Sequence, residues 1–119
     1  IDIHSYLKNK FKLALVTSTG PELVNHIESL LSIYSKFDLV ITSLDTSRHK
    51  PLPDPYNKAM EKLNLKPHEC VVVEDSIQGI KAGKNAGCPV IALEGSIERE
   101  HLKEADYIIS HLSDIQNIL

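Results

Sequence analysis

With 119 residues and 42% hydrophobic content, the chain can build one modest core and is too short for two, so a single domain over residues 1–119 is expected. A net charge of -3, with acids and bases interspersed, offers no basic block for nucleic acid and points to a small-molecule or protein partner. No apolar run approaches the ~18 to 20 residues of a membrane span, and the opening IDIHSYLKNKFK lacks signal-peptide character, so no membrane association and a cytoplasmic setting are expected.

The segment IHSYLKNK reads as a helix leading into LALVT (13–17), the first of five short apolar runs. The others are LVIT (39–42), CVVV (70–73), VIAL (90–93) and YIIS (107–110). They are mostly rich in β-branched residues and apolar without alternation, as suits parallel strands covered on both faces. After the first run, Thr19 or Gly20 can cap a helix with Pro21 and Glu22 in its first turn and an apolar stripe of Leu23, Ile27, Leu30, Leu31 and Tyr34. After the second comes a loop with Lys50 and Pro51, then PDPYNKAMEKLNL. There Asp54 is the expected N-cap, Pro55 the first helical residue, and Tyr56, Ala59, Met60 and Leu63 the buried stripe.

The third run ends at Glu74, Asp75 and Ser76, and a helix follows that stops near Gly87. Its glycines 79, 83 and 87, with Ala82 and Ala86, keep it slim for close packing on the sheet. Strands alternating with helices at this pitch predict an α/β fold: a three-layer, Rossmann-like core around a mostly parallel sheet. Cys70 and Cys88 sit among apolar residues, as buried thiols do in a reducing compartment. The histidines show no metal-ligand spacing.

In such sheets ligands gather at the carboxyl ends of the strands. Those ends hold Thr17 and Ser18, Lys50, and the pair Glu74–Asp75 followed by Ser76. Hydroxyls and free N–H groups before Pro21 suit a phosphate, although Thr17–Gly20 also reads as a plain capping turn. Lys50 would add a point charge, as a solvated surface lysine would not. Two neighbouring carboxylates against a buried strand repel and lose solvation, and a hard cation such as Mg²⁺ relieves both. The competing reading makes Asp75 or Ser76 a helix cap, with Glu74 in solvent.

Three segments together resemble the haloacid dehalogenase superfamily, nearest its β-phosphoglucomutase and small-molecule phosphatase branch. LALVTST resembles the second motif, HKPLPDPY the third and VVVEDSIQGIKAGKNAG the fourth, and the likeness spans residues 10–119. It implies that Thr17 and the Ser18 backbone bind the transferring phosphoryl group and that Lys50 neutralises it. It also implies that Asp75 binds Mg²⁺, with Glu74 acting beside it directly or through a water. Ser76 and Asp54 would support them, Asp54 by orienting Lys50 through the KPLPD turn. The implied reaction is Mg²⁺-dependent phosphoryl transfer from a small phosphorylated metabolite, such as a sugar phosphate, through an aspartyl-phosphate.

The family's first motif, which supplies that aspartate on the central strand, is not among the 119 residues, and neither is the cap usually inserted after it. Asp2 and Asp45 lack the matching context. The expectation is therefore a C-terminal part of a longer enzyme of roughly 200 to 230 residues, needing its N-terminal segment to complete the sheet and inactive by itself. A non-catalytic relative that binds Mg²⁺ and phosphate is the alternative. A receiver domain is excluded because its acids precede its hydroxyl and Lys-Pro pair, the reverse of the order here.

Overall fold

The computed structural model describes residues 2–95 and 97–119. Asp2 accepts the Ser5 N–H at 2.8 Å and so caps the first helix, α1 (Ile3–Lys8), which leads into strand β1 (Ala14–Val16). Helix α2 (Pro21–Leu31) starts from Gly20 with Pro21 in its first position. It ends at Ser32, whose φ of 52° turns the chain into the short helix α3 (Ile33–Lys36). The stripe expected to run unbroken to Tyr34 is thus interrupted, and Glu28 Oε2 accepts the Tyr34 N–H at 2.6 Å across the break. The helices also turn another side inward. Val24 and Ile33 are buried, whereas Leu23, Leu30, Leu31 and Tyr34 are exposed.

Strand β2 (Leu39–Ile41) pairs parallel with β1, Ala14 opposite Leu39 and Val16 opposite Ile41. Helix α4 (Asp54–Leu63) follows. The expected N-cap, Asp54, is instead its first helical residue: the Asn57 N–H bonds to the Pro53 carbonyl at 2.9 Å, which sets the start one residue earlier. Its carboxylate lies in the first turn, where it complements the free N–H groups, and pairs with Arg48 Nε at 3.0 Å.

Strands β3 (Val72–Glu74), β4 (Val90–Leu93) and β5 (Tyr107–Ile109) form a second parallel sheet in that order. Helix α5 (Ile77–Asn85) joins β3 to β4, and Gly87 beyond it takes a φ of +85°, a conformation that glycine adopts without strain. Both faces of this sheet are covered at its centre, β4, which confirms the α/β layering. Val72, Val90 and Ala92 pack with Tyr56 and Met60 of α4 and Ile80 and Ala82 of α5. Ile91 and Ile109 face Ile115, Ile3 and Leu7 on the other side.

Strands β1 and β3 share no ladder. Between them lies an open cleft of about 1260 Å³, walled by Leu15 and Val16 on one side and Val71 and Val73 on the other. This corrects the expectation that the third run is covered on both faces. Val71 and Val73 are each 40% exposed because they line the cleft, and the strand runs on to include Glu74.

Candidate active site

The carboxyl ends of β1 and β3 open onto the top of this cleft. The Thr17 N–H extends the β1–β2 ladder to the Ile41 carbonyl at 2.9 Å, and the Thr17 hydroxyl accepts the Thr19 N–H at 3.1 Å. This local turn keeps the hydroxyl proton available as a donor. Ser18 is exposed beside it.

Lys50, in the loop before α4, reaches across the gap between the sheets. Its Nζ donates to the Val16 carbonyl at 3.2 Å and lies 2.5 Å from Glu74 Oε2. Both side chains are largely enclosed, 16% exposed for Lys50 and 8% for Glu74. A carboxylate so buried is tolerable only when its oxygens are well supplied with donors. The Tyr56 hydroxyl, coming from α4, donates to the same Oε2. The Ser76 hydroxyl donates to Oε1 at 3.3 Å while accepting the Gly79 N–H at 3.0 Å, which also caps α5. Burial, and next the Glu74 charge, push the Tyr56 phenol far above its ordinary value of 10, so it remains a donor.

Gly79 makes room for this arrangement, since a Cβ there would stand 2.0 Å from the Glu74 carboxyl carbon. Asp75, one residue on, is exposed and joins none of the ion pairs among the described residues. The two neighbouring acids therefore part company. Successive strand positions face opposite ways, so Glu74 turns into the protein and Asp75 to water.

Of the residues singled out in the sequence, Thr17, Ser18, Lys50, Glu74, Asp75 and Ser76 all line the cleft. Asp54 pairs with Arg48, and the partner of the Lys50 ammonium is Glu74. Asp2 and Asp45 serve as local caps, Asp45 accepting the Thr42 N–H at 2.6 Å. Sequence reasoning missed the Tyr56 hydroxyl, which a helical apolar stripe absorbs as one more hydrophobic position. The signal was the residue type, because a buried tyrosine usually finds a partner for its hydroxyl. Among the described residues, three or more ligand-bearing side chains converge only at the exposed Glu98, Glu100 and His101, none of which lines the cleft. No described helix is long and apolar enough to cross a membrane.

The sequence pattern of the haloacid dehalogenase-like hydrolases matches residues 3–93. A pyrophosphatase PpaX of Bacillus mycoides (strain KBAB4) is 33% identical over 115 residues, covering 94% of this chain and 54% of that protein. A HAD phosphatase from Thermococcus onnurineus has a similar structure, with a TM-score of 0.86 at 30% identity, covering 98% of this chain and 54% of that one. So has a mutant CbbY from Rhodobacter sphaeroides in complex with xylulose-(1,5)bisphosphate, with a TM-score of 0.81 at 26% identity, covering 94% and 52%. The chain spans about half the length of the curated relatives it matches.

Proposed function

Because the chain belongs to the haloacid dehalogenase-like hydrolase family, we propose that the full-length protein transfers phosphoryl groups from small phosphorylated metabolites. It acts as a phosphatase or a sugar phosphomutase, by way of an aspartyl-phosphate whose aspartate lies outside residues 1–119. The observation that carries this reading is Lys50. One ammonium joins the end of β1, at Val16, to the end of β3, at Glu74. The phosphate-type turn, the cation and the acids thereby meet at one cleft.

In this reading Thr17 donates its hydroxyl proton to a phosphoryl oxygen and the Ser18 N–H to another. Lys50 offsets the negative charge. An attacking carboxylate forms a bond to phosphorus as the ester oxygen leaves, and water or an acceptor sugar then takes the phosphoryl group. Asp75 fits a Mg²⁺ ligand, for it is an exposed carboxylate beside an open cleft, where a hard cation can keep waters and take phosphate oxygens. Glu74, already neutralised by Lys50, acts beside it through a water. Bound Mg²⁺ would supply charge neutralisation for the transferring group. An N-terminal strand seated between β1 and β3 would complete the sheet and bring the nucleophile to these residues.

The test is phosphate release from p-nitrophenyl phosphate, pyrophosphate and a panel of sugar phosphates by the full-length protein, with and without Mg²⁺. Turnover that needs Mg²⁺ and is absent from residues 1–119 alone is the expected result. Phosphate binding without turnover on any ester would overturn the enzyme reading and leave a non-catalytic phosphate-binding protein.

A further inference from the structure

Tyr56, unlike Ser76, which also caps α5, is a polar group of the cluster with neither a task in the proposed reaction nor a local structural one. Its ring packs in the core with Met60 and Ile80, a space that phenylalanine would fill equally well. Its hydroxyl adds something that packing does not require, a bond to the Glu74 oxygen that also holds Lys50. The Lys50 Nζ lies 5.2 Å from the centroid of the same ring, so Tyr56 flanks the ammonium as well as its counter-charge. Glu74 is fixed at three points, by Lys50, Tyr56 and Ser76.

A lysine on a flexible four-carbon stem is directed by what it binds. We propose that Tyr56 is a positioning residue: by holding Glu74 it fixes where the Lys50 ammonium stands at the mouth of the cleft, and so how well Lys50 receives a phosphoryl group. The inference rests on Lys50 being the phosphate-neutralising cation. Asp75, the direct cation ligand in that reading, lies outside the network, so Tyr56 acts on the anion-binding part of the site more than on the cation-binding part, which it reaches only through Glu74.

The experiment compares Tyr56→Phe with Lys50→Met in the full-length protein. It reads the Kd for inorganic phosphate without divalent cation, the Mg²⁺ half-saturation of turnover, and Tm. Tyr56→Phe should weaken phosphate binding about tenfold, near the loss of one hydrogen bond to a charged group, with a smaller change in Mg²⁺ half-saturation. A lowered Tm with unaltered phosphate affinity would make the hydroxyl merely structural and overturn the inference. A shift in Mg²⁺ half-saturation without a change in phosphate affinity would also overturn it, placing Tyr56 on the cation side. If Lys50→Met weakens phosphate and Tyr56→Phe does not, the inference alone falls. If Lys50→Met has no effect either, the reading of Lys50 falls with it.

Discussion

The two sheets carry the site jointly but are built differently. In the β3–β4–β5 sheet, Val90, Ile91 and Ala92 of the central strand are fully buried, with helices or turns covering both of its faces. In the β1–β2 sheet all of Ala14, Leu15 and Val16 are only half-buried, and Ile41 is the one buried strand residue. One half has a core of its own. The other is tied on by α4 and by the Lys50 strap to Glu74. The acids thus stand on the half with the larger buried core, while the hydroxyl turn stands on the half whose strands are mostly half-buried.

The sharpest break of this comparison is Asp75→Asn. It should lower turnover of the full-length protein on the order of 100-fold or more, while Tm stays put, because the side chain is exposed just beyond the end of β3. Retained activity would remove Asp75 from the site. Next, Ile91→Ala should cost the 119-residue chain about 3 kcal/mol in urea unfolding and Leu15→Ala about 1 kcal/mol, since cavity cost follows burial. Equal costs would mean that both sheets share one core. Gly79→Ala should destabilise by about 2 kcal/mol through overpacking against Glu74, and thermal unfolding measures it. A neutral effect would mean that the carboxylate moves freely.

The smallest effect concerns acid. The Val90 N–H, at 2.7 Å, and next Lys84 hold Asp106 below its ordinary value of 3.8. Its contribution is therefore present above that value and is lost as pH falls towards the lower folded one, because the unfolded chain binds the proton first. Asp106→Asn should flatten the acid limb of the stability curve of the β3–β4–β5 half, as followed by unfolding between pH 5 and 2. An unchanged limb would show that this carboxylate gains nothing on folding.

Much of this was legible in the chain. Apolar runs bounded by turn residues located all five strands to within two residues, and Ser76 with Gly87 bracketed α5 as caps do. The inward side of α2 was not legible. Leucines at helical spacing mark an apolar face but not whether anything covers it, and here the burial falls on Val24. Nor did the pair Glu74–Asp75 declare that its members face opposite ways, which follows from where the strand ends.

The order of hydroxyl turn, lysine loop and acid pair, and the α/β alternation that gathers them at one edge, are properties of sequence, because periodicity and turn chemistry act over a few residues. The pairing of Lys50 with Glu74, the third contact from Tyr56 and the cleft between β1 and β3 were decided only by tertiary structure. Each joins groups 18 or more residues apart, and which donors a buried carboxylate finds depends on what the packed core brings within hydrogen-bond reach.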